Sequence, residues 1–134
     1  MYIHVSATKT PDRWSIGCIF GEMLLQQPVF PGSDYIHQLK LIVKLLGRPQ
    51  EDNLWFVNNR NAMNFMLQLP DYKPQDMRLK FPKSPDAALE LLATMLRFDP
   101  KSRTSLRDAL EHRFVEECVV ELHALHCASQ VSRI

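Results

Sequence analysis

The apolar positions of this chain recur with helical rather than alternating spacing. Ala88, Leu91, Leu92, Met95 and Leu96 follow the i, i+3, i+4, i+7 order that lines one side of an α-helix. Ser84 and Pro85 precede them as a hydroxyl N-cap and a first-turn proline. Tyr35, Ile36, Leu39, Ile42, Val43 and Leu46 form a second such face; Ser33 or Asp34 can cap its start, Gly47 can end it, and Pro49 prevents continuation. A third helix is predicted from Thr10-Pro11, in which Trp14, Ile16, Gly17, Ile19, Phe20, Met23 and Leu24 cover nearly every side, as in a central buried helix.

Between these segments the turn chemistry is equally direct. PVFPGSD is a structured turn, residues 51–69 read as two short helices, and the proline-rich residues 70–85 read as loop. RFDPKSRTS is a turn, and Ser105 with Asp108 resembles a capping box opening a short helix through Glu111. Val115, Cys118, Val119, Leu122 and Leu125 then share one face of a last helix, opposite Glu116, Glu117 and Glu121. No segment alternates with period 2 for long enough to be a strand, and no repeat or low-complexity tract occurs. The fold class is all-α.

Composition narrows the function classes. With 134 residues the chain is one domain's worth, able to bury roughly 65–70% of its unfolded surface. A net charge of +1 supplies no general attraction for nucleic acid or anionic membrane. Lys40, Lys44 and Arg48 make a modest basic face without stacking aromatics, so no nucleic-acid partner is expected. No apolar run approaches the ~18 residues of a membrane span, and the N-terminus has no signal-peptide core, so no membrane partner is expected. Cys18, Cys118 and Cys127 form no CxxC; two sit in apolar helical patterns as reduced, buried thiols, and the chain reads as intracellular. His123-x-x-His126-Cys127 lacks a second ligand pair and is read as an incidental tail cluster, so no metal ligand is assigned.

Four stretches, in order, carry a resemblance. They are D-x-W-S-x-G-C-I-F from Asp12, P-x-F-P-G-x-D-Y-I-H-Q-L from Pro28, L-x-x-M-L-x-F-D-P-x-x-R from Leu92, and A-L-x-H from Ala109. Together they resemble the C-terminal lobe of a eukaryotic protein kinase. The run from Pro28 to Val57, followed by NAMNFMLQLP, is similar to the MAP kinase branch of the CMGC group, which carries an extra helical insertion, here about residues 48–84. The resemblance implies an incomplete, all-α kinase lobe over residues 10–113, a leader over 1–9 and a helical or frayed tail over 114–134. It implies a parent serine/threonine kinase of signal transduction, cytoplasmic and/or nuclear, that transfers the γ-phosphate of ATP with Mg, proline-directed.

The transferring motifs themselves do not occur. The chain has no G-x-G-x-x-G, Val-Ala-Ile-Lys, His-Arg-Asp, Asp-Phe-Gly or Ala-Pro-Glu, and Gly17, Gly21, Gly32 and Gly47 are too scattered to cradle phosphates. No catalytic, cofactor-binding or metal residue is therefore assigned. ATP and Mg belong to the parent, and the chain alone is expected to be non-catalytic, as a fragment or a truncated reading.

The resemblance implies other roles. Asp12, beside Trp14, would brace the catalytic loop by accepting its backbone hydrogen bonds, since an isolated buried carboxylate costs several kcal/mol; the plainer reading is a helix-dipole carboxylate worth about 0.3–1 kcal/mol. Arg103 would pair with the glutamate of Ala-Pro-Glu, or else be an exposed turn arginine. Tyr35, Ile36, Leu39 and Phe65 would line a shallow pocket for protein substrates or regulators with aromatic docking motifs, or else be ordinary core residues. Two alternative readings follow: a noncatalytic docking module that competes for such motifs, or a non-functional truncated product. Apolar surface that meets the rest of a kinase in the parent would favour self-association. Residues 1–7, Arg113-Phe114 and the glutamates of the tail depart from the family pattern, so an acidic docking role is not carried over.

Overall fold

The computed structural model describes residues 13–131, and among them no strand occurs. The α-helices are α1 (Arg13–Leu25), α2 (Tyr35–Leu46), α3 (Arg60–Gln68), α4 (Met77–Lys80), α5 (Asp86–Met95), α6 (Leu106–Leu110) and α7 (Arg113–Val131). Two 3₁₀ turns, Glu51–Leu54 and Pro100–Ser102, sit in the links. Asp12 and the Thr10-Pro11 helix start lie outside the described residues.

Cap chemistry fixes most of the boundaries. Asp34 takes extended backbone geometry before α2 and accepts the His37 N–H at 2.8 Å. Gly47 closes α2 at φ 86, a left-handed value that a side chain resists, and a Cβ there would also press on Pro74. Ser105 accepts the Asp108 N–H at 3.0 Å, and its hydroxyl donates to the Asp108 carboxylate at 2.6 Å. Ser105 is thus the N-cap of α6, and Asp108 bonds back to its hydroxyl. Ser84, by contrast, is not the cap of α5. Pro85 occupies that position without a side-chain bond, and Asp86 places a carboxylate in the first turn instead. The 70–85 stretch is not all loop either: Asp76 accepts the Arg78 N–H at 2.9 Å and starts the single turn α4.

The core forms where α5 meets α1 and the 29–30 link. Val29, Phe30, Leu45, Phe81, Leu89, Leu92 and Leu96 make one buried cluster, with Trp14, Cys18 and Phe20 packed at its edge. Gly17 and Gly21, one turn apart on α1, are buried because α5 approaches closely. A Cβ on Gly17 would lie 3.0 Å from Met95 Cβ, and one on Gly21 would lie 2.7 Å from Val29 Cγ2. Gly17 and Gly21 are α1's fully buried residues.

The expectation of a helix buried on nearly every side is therefore wrong for α1. Ile16, Ile19 and Met23 are exposed, Met23 to 66%. Trp14, Cys18, Phe20 and Leu24 use the available neighbours, and no described residue packs over the opposite side. Cys18 and Cys118 are half-buried and Cys127 is exposed, so none of the three is a fully buried core residue. The last helix packs only by its start: Phe114 meets Phe20 with ring centroids 5.5 Å apart, and Val115 joins Leu91, Met95 and Ala109.

Candidate functional site

Two regions hold the residues singled out by sequence. At the first, Trp14 stacks on Phe30, with ring centroids 5.9 Å apart and planes 8° from parallel. The Arg103 guanidinium lies 5.0 Å from the Trp14 ring centroid, a cation–π arrangement. Arg103 also donates from Nε to the Arg97 carbonyl at 2.7 Å and from Nη2 to the Phe98 carbonyl at 3.1 Å. The structure thus brings Trp14 and Arg103 together and holds Arg103 against the end of α5, which an exposed turn arginine would not be.

Arg13, to which sequence reasoning gave no role, completes this region. Its Nη1 donates to the Arg103 carbonyl at 3.1 Å and its Nη2 to the Pro100 carbonyl at 3.3 Å. Nothing local could have revealed it, since the partners are backbone carbonyls on a distant turn. Asp99 anchors the same turn: its Oδ1 accepts the Lys101 N–H at 2.9 Å and the Trp55 Nε1–H at 2.9 Å, while Lys101 Nζ sits 4.0 Å over the Trp55 ring. The turn at RFDPKSRTS was legible; its Asp99 cap and the tryptophan partner were not.

The second region is the start of α2. The Ser33 N–H donates to His37 Nδ1 at 3.0 Å, closing a small network with the Asp34 cap. The His37 N–H donating to Asp34 holds its carboxyl below the usual aspartate range. This network fixes the first turn and leaves Tyr35 63% and Ile36 52% exposed. Neither is a core residue. Leu39, one turn on from Tyr35, is half-buried, as is Phe65 on α3, a separate element whose start is capped by Asn59.

Arg48 does not belong to a basic face with Lys40 and Lys44. It follows Gly47, where the chain has left the helix, so its side chain turns inward. Its Nη1 donates to the Leu67 carbonyl at 2.7 Å and the Leu69 carbonyl at 3.0 Å, with Asp71 3.6 Å from Nη2. With Arg48 N–H donating to the Tyr72 carbonyl and Gln75 N–H to the Leu45 carbonyl, both at 2.9 Å, it fastens residues 67–75 to the end of α2.

A shallow cavity of about 260 Å³ lies between the end of α2 and the 98–102 turn, lined by Gly47, Arg48, Asn53, Phe98 and Asp99 among others. It shares no residue with the Tyr35 region, and its carboxylate, Asp99, already accepts two hydrogen bonds through one oxygen. Among the described residues no group of three or more His, Cys, Asp or Glu is placed to hold a metal ion, and no helix is long and apolar enough to cross a membrane.

Comparison with known proteins adds to this geometry. The sequence pattern of the protein kinase domain matches residues 3–115. Mitogen-activated protein kinase 6 of Oryza sativa subsp. japonica is 47% identical over 108 residues, covering 81% of this chain and 29% of the rice protein. Mitogen-activated protein kinases 4 and 6 of Arabidopsis thaliana are 43% and 44% identical over 108 residues, again covering 81% of this chain. The chain spans 29% of the first Arabidopsis relative and 27% of the second, under a third of each.

Proposed function

This chain belongs to the protein kinase domain family, and from that membership we propose that it is the C-terminal part of a MAP-kinase-like serine/threonine kinase that does not catalyse by itself. The parent transfers the γ-phosphate of ATP, with Mg, to serine or threonine in protein substrates, proline-directed, in signal transduction in the cytoplasm or nucleus. Residues 48–84 are the helical insertion of that branch. The observation that carries the reading is the ordered match over residues 3–115 without any phosphate-gripping or metal-holding motif. Phosphoryl transfer needs a positioned base, metal ligands and a phosphate-binding lysine, and no residue here can be given those roles. What the chain supplies is support: Trp14 and Arg103 form part of the platform behind an active site, with Asp12 as the acceptor for its loop.

The test is the coding sequence in frame upstream of Met1. A His-Arg-Asp, Asp-Phe-Gly and Ala-Pro-Glu series is expected there. An in-frame stop codon immediately upstream would contradict the parent-enzyme reading.

A second reading, a noncatalytic module that captures docking motifs, is favoured by the exposure of Tyr35 and Ile36 beside a rigid cap. A fluorescence titration with an aromatic docking peptide should saturate, and Tyr35→Ala with Leu39→Ala should abolish binding. Peptide binding unchanged by those substitutions would remove Tyr35, Ile36, Leu39 and Phe65 as the pocket.

A further inference from the structure

The solvent side of α2 changes character along its length. It starts with the exposed apolar pair Tyr35 and Ile36. Lys40 and Lys44, also exposed, follow Ile36 by one and two helical turns, while Val43 and Leu45 turn into the core. The two lysines therefore continue the apolar start on the free side of the helix. Helical side chains lean toward the helix N-terminus, so both ammonium groups lean back toward Tyr35 and Ile36.

These two charges are unanswered. The helix α2 contains no acidic residue, and neither lysine has an ion-pair partner among the described residues. Other exposed cations do: Arg78 holds Asp86 at 3.0 Å, Arg113 holds Glu90 at 2.9 Å and Lys73 holds Asp71 at 3.1 Å. Asp34, just before α2, is taken up by the cap, where it accepts the His37 N–H. An apolar patch running into two unneutralised lysines complements a partner with an apolar anchor and carboxylates beside it.

Helix geometry sets the spacing of that partner. At 1.5 Å per residue the lysines lie about 6 Å and about 12 Å beyond Ile36 along the axis. An extended peptide advances about 3.3 Å per residue, so these distances correspond to roughly two and roughly four of its residues. Alternate residues of an extended chain point to the same side, so the anchor and both carboxylates can face α2 together.

We propose that α2 docks an acidic peptide segment, with an aromatic or aliphatic anchor on Tyr35, Ile36 and Leu39 and carboxylates two and four residues away on Lys40 and Lys44. This rests on the docking reading of the same helix and adds the charge and spacing of its partner. Exposed ion pairs contribute little each, so the lysines select among anchored peptides rather than capture charge alone.

Fluorescence titrations of the full chain with labelled peptides test it. Each peptide carries a phenylalanine anchor, with glutamate, glutamine or lysine at the second and fourth residues to its N-terminal or its C-terminal side. In one of the two directions the glutamate peptide should bind roughly five- to tenfold more tightly than its glutamine counterpart at low salt, and the advantage should shrink at high salt. Lys40→Glu with Lys44→Glu should reverse the order and favour the lysine peptide, with the circular dichroism spectrum unchanged because both side chains are exposed. Equal binding of glutamate and glutamine peptides in both directions would overturn the acidic preference while leaving the docking reading in place. Absence of binding by every peptide would overturn both. A glutamate preference that survives the two lysine changes, or a single-stranded oligonucleotide that binds the unsubstituted chain as tightly, would also overturn the proposal.

Discussion

Arg13 opens α1 and donates from Nη1 to the carbonyl of Arg103 at 3.1 Å, across 90 residues of sequence. Arg103 in turn lies over the ring of Trp14, the next residue after Arg13. Two arginines and a tryptophan therefore close a loop: one guanidinium fixes the backbone of the second arginine, whose own guanidinium covers the indole. The turn after α5 is held to α1 by this arrangement rather than by buried apolar side chains of its own.

Arg13→Met should consequently loosen the 100–104 turn. Hydrogen bonds from a charged donor contribute about 1.5–3 kcal/mol each where solvent is excluded; here the group is half-exposed, so a loss of about 1–2 kcal/mol in total is expected. Urea unfolding measures it, with Arg107→Met on the exposed side of α6 expected to stay within about 0.5 kcal/mol of the parent.

Gly21→Ala should be costly for a residue so small. Its Cβ would lie 2.7 Å from Val29 Cγ2 and 3.4 Å from Leu92 Cδ1, in the middle of the core. Overpacking of this kind costs about 1–3 kcal/mol, and shortening the obstructing side chain with Val29→Ala should make the double variant lose less than the sum of the two single changes. Thermal melts of the three variants decide it.

Asp99→Ala removes two hydrogen bonds at once, the cap of the 3₁₀ turn and the acceptor for Trp55. A cap loss of about 0.5–2 kcal/mol is expected by urea unfolding, and Trp55 emission should shift to the red as its indole N–H turns to water. Trp55→Phe keeps the cap and should lose less.

Asp34 supplies an acid-dependent contribution. Its folded pKa is lowered from 3.8, chiefly by the hydrogen bond from the His37 backbone. A depressed carboxylate contributes its stability above the unfolded pKa of 3.8 and loses it as pH falls through the lower folded value. The stability of the protein relative to Asp34→Asn, which retains an amide cap without a charge, should therefore be constant above pH 5 and shrink below pH 4 in urea titrations.

Local chemistry made much of this fold legible. Asp34, Gly47 and Ser105 each bound a helix where residue type alone places the boundary, because a cap needs nothing from the rest of the chain. The same logic failed at Ser84, where Pro85 with its fixed φ took the cap position. It also failed in 70–85, where Asp76 caps a turn too short for a period to appear. Periodicity overstated the burial of α1, since an all-apolar helix records what it can bury, not what is present to cover it. Arg13 and Arg48 were illegible for one reason: both bind backbone carbonyls on distant segments, which carry no residue signature. Among the candidate residues, Tyr35 and Ile36 are set apart from ordinary core only by their exposure.

Calorimetric titration of the purified chain with ATP and Mg is the direct test of the central claim that this part of a kinase does not catalyse alone. No saturable binding and no transfer of phosphate to a serine- or threonine-proline substrate are expected at millimolar nucleotide, because the sequence carries no G-x-G-x-x-G, Val-Ala-Ile-Lys, His-Arg-Asp or Asp-Phe-Gly motif. Saturable nucleotide binding accompanied by phosphorylated product would contradict it.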